Sequence, residues 1–239
     1  MKYKYFSETN IGLKRIDNED SLGIFEIENG ILSIICDGLG GNKAGEVASQ
    51  LSVNTVYEFF KTSTESDYLE RIKSAISEAN KSIIEKASSN DDFKGMATTI
   101  EVLFLLNNTA YCGHVGDSRI YNLHKDRLIQ LTKDHSLVQK LIDEGFLTDS
   151  EAENHPNRNI IMRALGDNST VEIDLSKLNL DPMDGMLFFL CTDGVTTVIK
   201  DNELKEILSD YDKIKENLSN LIEQRGAPDN FSFIVIKRI

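Results

Sequence analysis

Apolar and polar positions alternate at the start of this chain with the period of strands. Tyr3 and Tyr5 alternate with Lys2 and Lys4, and the apolar runs 22–27 and 31–36 flank Glu28-Asn29-Gly30, a short link with hairpin chemistry. The period then lengthens. Ala44, Val47, Ala48, Leu51, Thr55 and Phe59 fall at helical spacing, and Leu69, Ile72, Ile76, Ala79 and Ile83 alternate steps of three and four. Two amphipathic helices are predicted there. Strand-like runs return at 97–106, 109–115 and 119–123, divided by Asn107-Asn108 and Gly116-Asp117, so an antiparallel meander is expected. Ser136 reads as the N-cap of a helix over 137–144 that stops at Gly145. Residues 146–170 are polar and irregular and read as an excursion, a flap. Strands are predicted again at 171–175, 186–192 and 231–236, and helices at 204–208 and 214–222.

This order is not the strand–helix alternation of a parallel sheet. It predicts an α+β fold, with antiparallel strands in two packed sheets and helices on the outside. With three prolines, no Pro- or Ser-rich linker and no internal repeat, residues 1–239 read as a single domain.

Composition narrows the function. Lys and Arg number 26 against 39 Asp and Glu, a formal net charge of −13. Nucleic acid and anionic membrane surfaces need a basic footprint, so neither is an expected partner. No apolar stretch approaches the roughly 18 residues of a membrane span, and MKYKYFSETN has no apolar core of a signal peptide. Cys36, Cys112 and Cys191 each sit in an apolar run without CxxC spacing. They read as small core residues in a reducing compartment, and a cytoplasmic location is expected.

The position of the carboxylates is more telling than their number. Asp37-Gly38 ends one apolar run, Asp193-Gly194 ends another, and Asp117 follows a third. Asp229-Asn230 opens the last run, and Asp20 opens the run at 22–27. Any single one reads as turn chemistry, as Asp184-Gly185 does. Together, at one end of a sheet, they would repel by about 4 kcal/mol per pair at 4 Å and an effective dielectric of 20. Such a cluster needs a compensating cation. Oxygen-only ligands select hard ions, Mg²⁺ or Mn²⁺, and two such ions suit phosphoryl chemistry. The segment after Cys36 mimics a dinucleotide loop, but Lys43 stands where the third glycine belongs, and Gly41-Asn42-Lys43-Ala44 lacks the Ser or Thr of a Walker loop.

The motifs resemble those of the metal-dependent protein serine/threonine phosphatases of the PP2C (PPM) type, in their short bacterial form. Gly12 to Asp20 is similar to GxxRxxNED, and Asp37-Gly38-Leu39-Gly40-Gly41 with Ala44-Gly45-Glu46-Val47-Ala48-Ser49 to DGxGG and AGEVAS. Gly95-Met96-Ala97-Thr98-Thr99, Val115 to Tyr121 and Leu131 to Val138 resemble GxxTT, VGDSRxY and LTxDHSLV. Cys191-Thr192-Asp193-Gly194 and Gly226-Ala227-Pro228-Asp229-Asn230 complete a set that covers roughly residues 7–237.

The resemblance implies a four-layer α/β/β/α sandwich and two Mn²⁺ or Mg²⁺ ions, with a third in bacterial relatives. Asp37 would bridge two ions, the Gly38 carbonyl would ligate one, and Asp193 and Asp229 the other. Glu19 and Asp20 would hold waters around the ions, Asp117 with Asp193 would bind the third, and Arg15 would clamp the phosphate. The implied reaction is direct hydrolysis by a metal-bridging water, without a phosphoenzyme. The implied partners are phosphorylated proteins, a serine/threonine kinase and its targets, with the chain itself a monomer.

Two departures stand out. Leu39 occupies the place of a histidine proposed in eukaryotic members as general acid, while many bacterial members have Met there. His135, beside a helix cap, and His155, in the flap, are not favoured as substitutes. Asn10 replaces a common Asp, with only a local turn bond expected to depend on it. His114 and His124 read as structural strand residues. Two other functions compete: a non-catalytic phosphoprotein binder, which should have lost these carboxylates, and a phosphatase of small esters.

Overall fold

Runs that are apolar at nearly every position become strands buried on both faces. In β3 (Gly30–Leu39), Leu32, Ile34 and Cys36 enter one core while Ile31 and Ile35 enter another. β10 (Leu187–Cys191) and β11 (Phe231–Arg238) divide likewise. Phe189, Cys191, Phe233 and Val235 face outward to helices, and Phe188, Leu190, Ile234 and Ile236 face inward to the opposite sheet. A period of two side chains per repeat produces this division from an unbroken apolar run.

The computed structural model describes residues 2–40, 43–180 and 186–239. One antiparallel sheet has the order β1 (Tyr3–Asn10), β11, β10, β7 (Arg119–His124), β8 (Arg127–Gln130). The other has the order β2 (Asp20–Ile27), β3, β5 (Ile100–Leu106), β6 (Thr109–Val115), β9 (Asp174–Asn179), and β4 (Ala97–Thr98) pairs with the end of β3. α1 (Lys43–Thr62) and α2 (Tyr68–Ser89) cover the second sheet through Val53, Val56, Phe60, Ile72 and Ile76. α5 (Asp193–Thr196), α6 (Asp201–Leu208) and α7 (Ile214–Gln224) cover the first through Val195, Leu204, Leu208, Leu218 and Ile222. The result is the four-layer α+β sandwich. Among the described residues no helix is long and apolar enough to cross a membrane.

Several boundaries differ from the sequence reading, each for a local reason. Asp37 and Gly38 lie inside β3 rather than after it, because β4 extends the pairing to Leu39. The run 97–106 is broken at Thr99, which leaves the ladder to bond Asp37. Residues 171–173 are not strand. Val171 and Ile173 do pack on the α1–α2 core, so their alternation is real, but the ladder with β6 begins only at Asp174. Asp193-Gly194 starts a short helix rather than a turn. Residues 146–170 contain α4 (Asp149–Glu153), closed by a Thr148–Glu151 capping box. α3 (Leu137–Asp143) is capped by Ser136 as expected. Gly41 of the glycine-rich loop and the turn expected at Asp184-Gly185 lie outside the described residues.

Candidate metal centre

Asp37 shares parity with Ile31 and Ile35, so it projects from the end of β3 on the face turned toward the other sheet. In the β2–β3 register it stands directly opposite Asp20. Like charges in directly opposed positions destabilise a ladder, so this pair is costly unless something offsets it. The backbone there is held firmly. Asp37 N donates to Thr99 Oγ1 at 2.9 Å, and the Asp37 carbonyl accepts from Thr99 N at 2.9 Å and Thr98 Oγ1 at 2.8 Å. A Cβ on Gly38 would lie 2.3 Å from the Gly45 carbonyl oxygen and 2.6 Å from that of Glu19. The strand passes between them only because residue 38 has no side chain.

The remaining groups arrive from three other places. Thr192 directly follows β10, donates through Oγ1 to Asp20 Oδ2 at 2.9 Å, and is followed by Asp193 at the start of α5. That helix sits so close to the next strand that a Cβ on Gly194 would lie 1.9 Å from the Asn230 carbonyl oxygen. The β6–β7 turn supplies Asp117, which is 8% exposed. The β1–β2 loop supplies Arg15 and Glu19, and Arg15 Nη2 lies 2.7 Å from Asp229 Oδ2. Asn230 ties this loop to the start of β11. Its Nδ2 donates to the carbonyls of Ile11 at 2.9 Å and Asp17 at 3.0 Å, and its Oδ1 accepts from Glu19 N at 2.9 Å.

Asp37 therefore feels Asp20, Asp193, Asp117 and Asp229 together, and burial with these charges pushes its pKa well above the carboxylate range. Burial, with neighbouring carboxylates adding, raises Asp20 to about 7, Asp117 to about 8 and Asp193 to about 6. Burial also raises Glu19, against the pull of Arg15. The sign for stability follows. The metal-free native state holds protons that the unfolded chain, with carboxylates near 3.8, has released. That contribution is complete below the unfolded value and is lost as pH rises through the folded ones. The loss is about 1.4 kcal/mol per pH unit for each excess proton. Urea midpoints of chelated protein are expected to fall between pH 5 and pH 8, and Mn²⁺ to flatten the fall. Midpoints that climb over this interval would mean that these carboxylates already have cationic partners.

Oxygen chemistry and unmet polar groups at the site fit divalent metal ions. Glu19 Oε1, Asp20 Oδ1 and Asp117 Oδ1 are buried acceptors without a hydrogen-bond partner among the described residues. Each such atom costs about 1–3 kcal/mol, more when charged, and hard cations would answer all three. Among the described residues, no three Asp, Glu, His or Cys side chains are drawn into a finished cage. Asp229 is turned onto Arg15 instead. Sites that retain several waters and take one or two carboxylates per ion are the habit of Mg²⁺.

The histidines stand apart from this cluster's chemistry. Burial, then His114 and Arg163, push His135 down to about 4, and its Nδ1 accepts from Gly116 N at 3.0 Å. His155 Nδ1 accepts from Asn157 N in the flap. His114 lies in β6, hydrogen-bonded to buried Glu101, and His124 ends β7. Asn10 Oδ1 accepts from Gly12 N at 2.9 Å, the local turn bond expected of it. Burial pushes all three thiols up, which suits inert core residues. The sequence reading assigned no role to Thr98, Thr99, Thr192 or Asn230. Thr192 and Asn230 each stand beside a strand-end Asp, while Thr98 and Thr99 carry no local signal of this kind.

A family profile described as protein phosphatase 2C matches residues 14–231. The chain belongs to the protein phosphatase 2C family. This family member is 36% identical over 238 residues to the serine/threonine phosphatase Stp of Listeria monocytogenes, covering 96% of this chain and 94% of the relative. It superposes on the crystal structure of serine/threonine phosphatase Stp1 from Staphylococcus aureus with a TM-score of 0.93 at 32% identity, covering 100% and 96% of the two chains. The catalytic domain of serine threonine protein phosphatase PstP, solved in complex with two manganese ions, matches at a TM-score of 0.87 and 32% identity over 98% and 97%.

Proposed function

We infer that this protein is a metal-dependent protein serine/threonine phosphatase that hydrolyses phosphoserine and phosphothreonine on proteins. The observation that carries this reading is the register placing Asp20 opposite Asp37, with Asp117, Asp193 and Asp229 in electrostatic reach. Asp37, Asp193, Asp229 and the Gly38 carbonyl would hold two Mn²⁺ or Mg²⁺ ions, as PstP holds two manganese ions. Asp117 and Asp193 would hold a third, and Glu19 and Asp20 would orient surrounding waters. Such ions supply an acidified water as nucleophile and offset charge on the phosphoryl group.

Arg15 spends Nη2 on Asp229 and is about half exposed, so its remaining donors can take phosphate oxygens. Leu39 has no proton to give, and His135 is held neutral. The leaving alkoxide takes its proton from water instead.

The chain acts as one domain, residues 1–239, with residues 146–170 as a flap at the entrance. Backbone bridges Ser136–Ile161 and Thr98–Leu165 support that reading, since Thr98 also holds Asp37. The protein opposes a serine/threonine kinase, acts as a monomer and works in the cytoplasm, where its buried thiols stay reduced. A panel of phosphoserine and phosphothreonine peptides and one small aryl phosphate, assayed with Mn²⁺, Mg²⁺ or chelator, tests the function. Peptide hydrolysis is expected only with metal. Undiminished hydrolysis in chelator would defeat the reading, and turnover of the aryl phosphate alone would move it to small esters.

A further inference from the structure

Ile16 is 90% exposed and Leu13 is 62% exposed, and both flank Arg15 in the β1–β2 loop. Single exposed apolar side chains are ordinary on protein surfaces. These two differ because the loop that displays them is clasped at both ends. Leu13 N donates to the Ala227 carbonyl at 2.9 Å. Gly12, at φ +75°, fits against the Asp229 and Ala227 carbonyls where any Cβ would collide. The Asn230 amide holds the Ile11 and Asp17 carbonyls on either side. The fold thus fixes the backbone that carries an isoleucine and a leucine into solvent, next to the group assigned to phosphate.

We propose that Leu13 and Ile16 form an apolar rim that recognises a hydrophobic side chain beside the phosphorylated residue of a protein substrate. This rests on the phosphatase reading and deepens it. Two arguments select this occupant. The first is reach. Neighbouring Cα atoms are about 3.8 Å apart, so a substrate side chain one or two positions from the phosphoresidue lies about as far from the phosphate as Ile16 and Leu13 lie from Arg15 along their loop. The second is charge. A chain of net charge −13 repels a phosphopeptide at range. Affinity must come from short-range contacts, and apolar contact is the kind that this repulsion does not weaken. The rim contributes binding and not chemistry, so it should act on KM and leave kcat alone.

The test uses two phosphothreonine peptides that differ only in their flanking residues, Leu and Val in one and Ser in the other. Steady-state kinetics with Mn²⁺ are measured for the intact protein and for Ile16→Ser and Leu13→Ser. The unaltered protein is expected to favour the apolar-flanked peptide by about tenfold in KM, the scale of a small apolar contact. Each variant should lose most of that ratio while the kcat ratio holds, and thermal midpoints should stay put because both side chains are exposed. No preference in the unaltered protein, or a preference kept by both variants, would overturn the rim. A mass that rises with concentration and falls in Ile16→Ser would overturn it too, in favour of pairing between two copies. Failure to hydrolyse either peptide would instead count against the phosphatase reading.

Discussion

Asp37→Asn is expected to lower phosphopeptide turnover by at least about 10²–10³-fold while making the metal-free protein more stable. The two effects have one cause. Asp37 faces Asp20 across the ladder and feels three further carboxylates, so its negative charge is a liability in the empty fold and an asset only when cations are bound. Asn keeps the shape and removes the charge. The backbone bonds to Thr98 and Thr99 do not involve the side chain and survive. Asp193→Asn should behave alike, because burial and the neighbouring Asp229 carboxylate raise its pKa as well. The checks are turnover at saturating Mn²⁺ and the thermal midpoint in chelator. Full activity of either variant would defeat the metal assignment, and a lower midpoint would mean that the charge is structural.

Glu101→Ala should destabilise the fold by about 3–5 kcal/mol, the usual cost of removing one partner from a buried ion pair. Glu101 is fully buried opposite Ile35 and hydrogen-bonds His114 Nδ1, while His114 Nε2 donates to the Lys133 carbonyl at 2.8 Å. Burial opposes charge on His114, yet Glu101 outweighs it and raises the histidine pKa, while burial raises Glu101 itself to about 7, so the two hold one proton between them near neutral pH. Without the carboxylate, the imidazole must stay charged alone or surrender its proton. The His114 ring also lies 4.3 Å from that of His135, which bonds the turn carrying Asp117, so the loss spreads toward the site. Urea unfolding at pH 7 measures the cost. Glu101→Leu combined with His114→Leu should recover most of it, since an apolar pair needs no charge compensation. Equal destabilisation by the single and double changes would show that shape, not pairing, matters at this position.

Most of the framework was legible because its signals are local. The three-and-four spacing from Leu69 to Ile83 announced α2, and the apolar runs around Ile34 and Ile234 announced doubly buried strands. Asp37, Asp117, Asp193 and Asp229 were legible because each stands beside a Gly or Asn at the end of such a run. Long-range features were not. Nothing near Glu101 says that His114 will lie across the ladder from it, since that pairing depends on register between strands. Thr99 reads as one more β-branched strand residue until β3 is beside it. The alternation of Val171, Glu172, Ile173 and Asp174 signals one buried side but carries no information on which strand supplies hydrogen bonds. The same limit explains why Asp229 could be named as a ligand but not seen turned toward Arg15.

The Asn230 clasp has a consequence for synthesis of the chain. Among the described residues β1 has a single neighbour in its sheet, β11, which follows every other strand in chain order. The loop bearing Arg15 and Glu19 is likewise held by an amide more than two hundred residues downstream. Until residues 229–238 leave the ribosome, the opening strand has no ladder and the early loop has no clasp. A nascent chain can build the α1–α2 layer on its sheet, but it emerges without a working centre.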